Sequence, residues 1–313
     1  MGETTDMRGK SVLAMADFST AEINAVLDKA REMREIVDSG FKKKPLLQGR
    51  SLVTLFYEPS TRTRTSFELA GKYLGADVVN IAVNASSIVK GESLRDTLYT
   101  IEAMGVDGIV IRHKAEGAAA YANKVASAAI FNAGDGAHAH PSQTLLNLYT
   151  IREKKGRLSG LKVAIIGDIL HSRVARSDIE GMRKMGIQVH LFAPKTLLPR
   201  FLKNDSELYI HDKIEDALAG ADVVEVLRIQ LERMQGGLFP STREYARLFG
   251  INDERLSLCA DDVLVLHPGP MNKGWEISPA VAYGDNSAIQ EEVKNGVAVR
   301  MALYALTLGS KKH

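Results

Sequence analysis

One stretch of the chain concentrates groups that could bind an anion: Glu-Pro-Ser-Thr-Arg-Thr-Arg-Thr-Ser-Phe-Glu, beginning at Glu58. It follows an apolar run and opens a helical pattern, and free backbone amides at a helix N-terminus attract anions. Hydroxyl and guanidinium donors fall within one turn: Ser60, Thr61, Arg62, Thr63 and Arg64. Arginine makes forked contacts with phosphate. The spacing therefore predicts a phosphate site, and the alternative is a capped surface helix that carries arginines.

Further donors stand in loops of the first half. Ser86 and Lys90 lie in a polar loop before a helical pattern, where the flexible lysine could reach an anion. Arg112 and His113 end an apolar run, and parallel sheets bind ligands at the carboxyl ends of their strands. Each of these features is weak when taken alone.

A glycine-rich loop leads to His140-Pro-Ser-Gln143. Pro141 suits the first position of a helix, and His140 and Gln143, three residues apart, can face one point. His138 and His140 make a poor metal site because they occupy alternate loop positions without cysteine. A neutral histidine that hydrogen-bonds a carbonyl is the better interpretation.

Three clusters follow strands of the second half: Gly167-Asp-Ile-Leu-His-Ser-Arg173, Arg228-Ile-Gln230-Leu-Glu-Arg233 and His267-Pro-Gly-Pro270. The first lacks Gly-x-Gly-x-x-Gly, so a dinucleotide site is a weak alternative. The chain has no nucleophile elbow, Walker loop or paired-carboxylate motif. Its polar clusters are mostly donors, which favours group transfer on an anionic substrate by positioning and oxyanion stabilisation.

The elements that must position these residues alternate between apolar runs and amphipathic helices. Strands are predicted at Val53–Tyr57, Val78–Val83, Gly108–Arg112, Ala129–Asn132, Lys162–Gly167, Gln188–Phe192, Val223–Leu227 and Val263–Leu266. Ser19 and Glu22 form a candidate capping box, and Ile289–Leu308 reads as a long final helix. Strand–helix alternation predicts an α/β fold with mainly parallel sheets flanked by helices.

Length, net charge and composition restrict the kinds of protein that this chain can be. The 313 residues suggest two domains at about 150 residues each. A net charge of +2 argues against a nucleic-acid partner, and no apolar run approaches the roughly 20 residues that cross a membrane. The N-terminus lacks a signal-peptide core, and Cys259 is the single cysteine. We expect a cytoplasmic protein with no metal site.

In this order and at these separations, the motifs closely resemble the catalytic chains of the aspartate carbamoyltransferase family. The resemblance covers residues 10 to 308 and rests on Ser60-Thr-Arg-Thr-Arg64, Lys90-Gly-Glu, Arg112-His113, His140-Pro-Ser-Gln143, Gly167-Asp and His267-Pro-Gly-Pro270. Ornithine carbamoyltransferases carry His-Cys-Leu-Pro at the last position. Two features depart from the family pattern: Ser142 stands where threonine is common, and Met271-Asn-Lys273 replaces a frequent arginine. The second departure is similar to the branch that works without regulatory chains.

The resemblance implies a carbamoyl-phosphate-binding domain at residues 1–150 plus a C-terminal helix, 289–313, that packs back on it. An aspartate-binding domain would span residues 151–288. Carbamoyl phosphate would contact Ser60, Thr61, Arg62, Thr63, Arg112, His140, Gln143, Gly269, Pro270 and, from a neighbouring chain, Ser86. Aspartate would contact Arg173, Arg228, Gln230 and the neighbour's Lys90. Glu58 is expected to pair with Arg173 or Arg228 when the domains close.

The implied reaction carbamoylates L-aspartate in de novo pyrimidine biosynthesis, with Arg62, Thr63, Arg112, His140 and Lys90 as the catalytic residues and no cofactor. The resemblance further implies a homotrimer and leaves open its assembly with other enzymes of that pathway. Two alternatives stay open: a carbamoyltransferase for another amine such as ornithine, and a non-catalytic relative. The intact anion-binding residues speak against the second.

Overall fold

The computed structural model describes residues 5–82, 92–230 and 241–309. Within these ranges the strands are β1 Ser51–Phe56, β2 Asp77–Ala82, β3 Gly108–His113, β4 Ala129–Asp135, β5 Lys162–Ile166, β6 Gln188–Phe192, β7 Leu208–Ile210, β8 Val223–Val226 and β9 Leu264–Leu266. The α-helices are α1 Thr20–Asp38, α2 Thr61–Tyr73, α3 Leu94–Ala103, α4 Ala118–Val125, α5 Pro141–Lys155, α6 Arg173–Lys184, α7 Ile214–Leu218, α8 Thr242–Phe249, α9 Asp253–Leu256, α10 Pro279–Tyr283 and α11 Ile289–Leu308. Short 3-10 helices lie at Met15–Asp17 and Lys195–Leu197.

The chain divides into two compact units. The first comprises Met1–Tyr149 with Val293–His313, and the second comprises Thr150–Glu292. Each unit contains one parallel sheet flanked by helices, so the predicted α/β class is confirmed.

The sheet of the first unit has the strand order β2-β1-β3-β4, and all of its pairs are parallel. Strands β1 and β4 are buried on both faces, which explains why they read as continuous apolar runs in the sequence, whereas the edge strand β2 is largely exposed. One core cluster packs strand residues against α3 and α4: Val53, Leu55, Leu98, Ile101, Ile109, Ile111, Ala119, Ala122 and Ile130.

Helix α11 packs back on the first unit, as expected from the resemblance. Lys294 pairs with Asp38 of α1, and the ring of Tyr304 lies 4.8 Å from that of Phe131 on β4. The backbone amide of Gly9 donates to a carbonyl in the last turn of α11, 2.9 Å away. These contacts tie the end of the chain to its beginning.

The sheet of the second unit has the order β7-β6-β5-β8-β9 and is also parallel throughout. Its core packs strand residues against α7 and the final helices: Ala164, Ile166, Ile214, Leu218, Val224, Val226, Val265, Val281 and Ile289.

Local signals in the sequence set several boundaries. The Ser19 hydroxyl accepts the amide of Glu22 while the Glu22 carboxylate accepts that of Ser19 at 2.8 Å, which confirms the capping box. Pro141 is the first residue of α5, as predicted. All eight predicted strands have counterparts within a few residues, whereas β7 was missed.

Candidate active site

The first unit has a topological switch point between β1 and β3. The chain leaves β1 for β2 on one side and continues through β3 to β4 on the other, so the loops after β1 and β3 diverge. Phe56 pairs with Arg112 in register, and the Tyr57 amide donates to the Arg112 carbonyl at 2.8 Å. Ligands of parallel α/β sheets bind at such points. We call the residues that follow β1 and β3 here the first switch point.

Helix α2 begins at the first switch point with Ser60 as its N-cap. The Ser60 side chain makes no capping hydrogen bond, whereas Ser19 and Ser93 cap their own helices in the same unit. The first amides of a helix lack intrahelical acceptors, and a hydroxyl that does not cap them leaves that end able to receive an anion. Arg62 is exposed in the first turn, and Thr63 is half-buried.

Arg112 is the penultimate residue of β3 and lies beside the same helix start. Its Nε lies 3.3 Å from Oε2 of Glu58, and its Nη1 donates to the Ala133 carbonyl at 3.4 Å. The two contacts orient the guanidinium at the carboxyl edge of the sheet. Pairing of Glu58 with Arg173 or Arg228 stays a prediction.

His113 follows Arg112 as a neutral imidazole. Its Nδ1 accepts the Ala115 amide at 2.9 Å, and its ring meets that of Tyr57 edge-on with centroids 4.7 Å apart. Burial, helped by the charge of Lys114, lowers the pKa of His113. His113 therefore contributes a half-buried, uncharged ring to the first switch point and no positive charge.

The loop from β4 to α5 is organised by Asp135, which is 2% exposed. Its carboxylate accepts the Gly117 amide at 2.8 Å, the Ala139 amide at 3.1 Å and the side-chain amide of Asn132 at 2.9 Å. The His138 ring nitrogen lies 3.1 Å away. Four groups thus converge on one carboxylate immediately before His140.

His140 precedes the first residue of α5 and is 4% exposed. Its carbonyl accepts the Gln143 amide at 2.9 Å, so the two residues share the first turn as their spacing predicted. The Gln143 side chain donates to Oδ1 of Asn147 at 3.1 Å. This bond commits the nitrogen of the amide and leaves its oxygen as the acceptor for a ligand N–H.

The second unit has its own switch point, between β5 and β8. Gly167 follows β5 with φ of +126°, and a Cβ there would lie 2.9 Å from the Leu227 carbonyl, so the close approach requires glycine. Asp168, fully buried, accepts the Gln230 amide at 3.2 Å and contacts Nδ1 of His171 at 2.9 Å. Asp168 thereby ties together the loops after β5 and β8, which we call the second switch point.

Cationic residues flank the second switch point. Arg173 is the buried first residue of α6, whose N-terminus Ser172 caps, and Arg228 is half-buried just after β8. Gln230 follows on the same loop. Both arginines therefore stand at the carboxyl edge of the sheet, and they are the residues for which the resemblance implies contacts with aspartate.

The turn His267-Pro-Gly-Pro270 follows β9 in the second unit. The His267 amide donates to Glu292 at 2.9 Å, and the Gly269 amide donates to Nδ1 of His267 at 2.8 Å. Nε2 of His267 lies 3.3 Å from Glu276. The Gly269–Pro270 peptide bond is cis. The hydrogen bonds of the His267 and Gly269 amides hold this turn in place and, with it, the carbonyls of Gly269 and Pro270.

Ser86, Lys90 and Arg233 lie outside the described residues. Sequence reasoning passed over Asp135 and Asn147, which act through other residues. Asp168 was noted only as part of a motif. In the described parts of the chain, no cluster of three or more His, Cys, Asp or Glu side chains could hold a metal ion. Over the same ranges, every helix is too short or too polar to cross a bilayer.

Family models match both halves of the chain. Residues 10–153 match the carbamoyl-P binding domain of aspartate/ornithine carbamoyltransferase, and residues 159–307 match its Asp/Orn binding domain. The chain is 58% identical over 304 residues to an aspartate carbamoyltransferase catalytic subunit from Desulforamulus reducens, with 97% of each covered. It is 60% identical to the one from Pelotomaculum thermopropionicum, with 96% of this chain and 97% of the relative covered.

Solved structures agree. Aspartate transcarbamoylase from Trypanosoma cruzi in complex with carbamoyl aspartate and phosphate superposes with a TM-score of 0.88 at 32% identity, covering 98% of this chain and 99% of that one. Ornithine carbamoyltransferase from Pyrococcus furiosus gives 0.87 at 25% identity, covering 99% and 100%. With both domain models matched and near-complete coverage by relatives, the chain belongs to the aspartate/ornithine carbamoyltransferase family.

Proposed function

We propose that this chain transfers the carbamoyl group of carbamoyl phosphate to the amine of L-aspartate. The products are N-carbamoyl-L-aspartate and phosphate, as in de novo pyrimidine biosynthesis. Catalytic subunits named for this activity share 51–60% of their residues with the chain over nearly its full length. The reaction needs two anion-binding sites, and the two switch points carry the donor sets for them.

The observation that carries the choice of amine is the pair of arginines at the second switch point. Arg173 and Arg228 follow the two strands that flank it, and two guanidinium groups match the two carboxylates of aspartate. Ornithine would bring a second ammonium toward Arg228, and like charges repel strongly in a poorly hydrated site. The fold alone does not decide, because solved structures of both enzyme types superpose equally well.

Carbamoyl phosphate belongs at the first switch point. The N-terminus of α2 and the donors of Ser60, Thr61, Arg62, Thr63 and Arg112 receive the phosphate. His140 with Thr63 donates to the carbamoyl oxygen. The amino group of the ligand donates to Oε1 of Gln143, which the bond to Asn147 orients. Contacts of the same group with the carbonyls of Gly269 and Pro270 rest on the family resemblance alone.

The chemistry then needs positioning and charge stabilisation. The aspartate amine attacks the carbamoyl carbon and forms a C–N bond, while negative charge on the carbamoyl oxygen is stabilised by His140, Arg112 and Thr63. The C–O bond to phosphate breaks, and the departing phosphate takes the amine proton. No protein base is required, so none of the carboxylates at the site has to accept a proton.

We further propose a cytoplasmic homotrimer in which Ser86 and Lys90 reach a neighbour's site, Lys90 contacting both substrates. The proposal rests on the family resemblance. One described feature supports it: β2 is the edge strand of its sheet, and Val79 on it is 55% exposed shortly before Ser86. An apolar strand edge of this kind is a natural place for another chain to bind. Assembly with other enzymes of pyrimidine biosynthesis rests on the resemblance alone.

The test is turnover of carbamoyl phosphate with a panel of amines, including L-aspartate, L-ornithine and L-asparagine. We expect rapid turnover with aspartate and competition by succinate, which has both carboxylates and no amine. Preferred turnover of ornithine, or indifference to succinate, would contradict the choice of aspartate and leave the carbamoyltransferase activity standing. No turnover with any amine would favour the non-catalytic alternative.

A further inference from the structure

Arg300 of α11 joins the two helices that start at the carbamoyl phosphate site. Its Nη1 donates to Oγ of Ser66 on α2 at 2.9 Å, and its Nη2 donates to Oγ of Ser142 on α5 at 3.4 Å. Ser66 lies one turn after Arg62, and Ser142 lies two residues after His140. Arg300 therefore contacts both helices close to their active ends.

The guanidinium is buried without a counter-ion. Arg300 is 4% exposed, and across residues 5–82, 92–230 and 241–309 it pairs with no carboxylate. Besides the two hydroxyls, it faces the ring of Phe67, whose centroid lies 4.8 Å away. Burial lowers the pKa of Arg300 to about 10, so the group is still charged at neutral pH. An unpaired buried ion is strongly destabilising to a fold.

A glycine in α11 leaves the space that the Arg300 side chain occupies, and this glycine destabilises the helix. Gly296 stands one turn before Arg300, and a Cβ there would lie 2.5 Å from Nη1. Glycine inside a helix is less favourable than alanine. The unpaired charge of Arg300 and the helical glycine Gly296 both destabilise the fold, and they lie together beside the proposed phosphate site. A role of the charge in ligand binding would account for both.

We propose that Arg300 is a positioning residue whose uncompensated charge raises the affinity of the first switch point for phosphate. Its two hydrogen bonds also hold the starts of α2 and α5 in place. The proposal rests on the proposed function, since it assumes an anion at the N-terminus of α2.

The size of the effect follows from distance. The four helical positions from Arg62 to Ser66 span about 6 Å. The 2.9 Å hydrogen bond from Ser66 to the guanidinium, together with about 3 Å from a backbone amide to a bound anion, brings the separation to about 12 Å. At an effective dielectric constant of about 20, one charge pair at that distance changes affinity by about tenfold. Phosphate carries about one negative charge near pH 5 and about two near pH 8, so the effect grows with pH.

The experiment measures binding of inorganic phosphate to the whole protein by titration calorimetry near both pH values. Arg300→Gln removes the charge and keeps a donor, and Arg300→Lys keeps the charge. Lys294→Gln is the matched control, because it removes an exposed cation of the same helix that already pairs with Asp38. Arg300→Met serves as the neutral variant if Arg300→Gln does not fold.

We expect the neutral variant to lose about tenfold in affinity near pH 5 and about a hundredfold near pH 8. Arg300→Lys and Lys294→Gln should stay within about threefold of the unmodified protein. An equal loss in Arg300→Lys, or a loss that is the same at both pH values, would mean that Arg300 is merely structural and would overturn the proposal. Failure of the unmodified protein to bind phosphate would instead overturn the proposed function.

Discussion

Replacing Asp135 with asparagine should disturb His140 without touching the ligand. Four donors converge on the Asp135 carboxylate: the amides of Gly117 and Ala139, the side chain of Asn132 and the ring of His138. Asparagine offers one acceptor oxygen and one NH2 group. With its oxygen toward Ala139 and Asn132, the NH2 group faces the Gly117 amide, while the His138 ring can adopt the tautomer that accepts.

The magnitude follows from burial. One such donor left unsatisfied costs about 1–3 kcal/mol, so the variant should lose about that much stability. A domain of about 150–250 residues loses about 2–4 °C in Tm per kcal/mol, which gives a fall of about 2–12 °C. Because Ala139 carries the chain into His140, kcat should also fall by about tenfold or more, since small misplacements of reacting groups are costly.

The assay compares Tm from calorimetry with kcat measured well below the melting range. Asp107→Asn is the matched control: Asp107 also accepts a backbone amide, that of Ser51 at 2.9 Å, but it stands just before β3, at the opposite edge of the same sheet. The control should lower Tm and leave kcat unchanged. Unchanged kcat in a destabilised Asp135→Asn protein would refute the idea that this carboxylate positions His140.

Four other substitutions test separate parts of the account. Arg62→Ala should remove at least about 99% of kcat/KM while Tm stays near normal, because the side chain is exposed and supplies a charge-assisted phosphate contact; near-normal turnover would contradict the phosphate assignment. Arg228→Ala should raise the KM for aspartate by about tenfold or more and largely spare carbamoyl phosphate binding. An unchanged KM for aspartate would mean that Arg228 is a solvated residue that does not bind the substrate. Inactive Lys90→Ala and Arg62→Ala chains, refolded together, should regain partial activity, and mixed trimers that stay inactive would count against shared sites. Burial, helped by the charges of Lys162 and His211, lowers the pKa of His190 from 6.5 to about 4. As the pH drops from 6.5 toward 4, the unfolded chain protonates this histidine before the folded chain does, so the free energy of unfolding falls. His190→Phe should therefore flatten that part of a plot of the urea midpoint against pH.

Much of the fold was predictable because its signals are local. The buried strands of parallel sheets are continuous apolar runs, and Ser19, Ser93 and Pro141 mark helix starts by their own chemistry. Strand β7 was missed because three residues, Leu208–Ile210, are too few to show a period. Strand β4 runs to Asp135 rather than Asn132 because its pairing with β3 continues past an irregularity in register.

The candidate anion-binding residues could also be chosen from the sequence, since arginines and hydroxyls cluster visibly at strand ends. The residues that hold them were not. Asn147 orients Gln143 from one turn further along α5, and Ser66 and Arg300 meet across 234 positions of sequence. Such contacts depend on how helices pack, and single-sequence patterns carry no information about that.

Transfer of a labelled carbamoyl group is the most direct test of the central claim. Purified protein would be incubated with isotopically labelled carbamoyl phosphate and L-aspartate, and the product followed by NMR beside the Arg62→Ala variant. We expect the label on the nitrogen of aspartate, with one phosphate released per product, and little product from the variant. Label that stays in carbamoyl phosphate, or that reaches ornithine in preference to aspartate, would contradict the central claim.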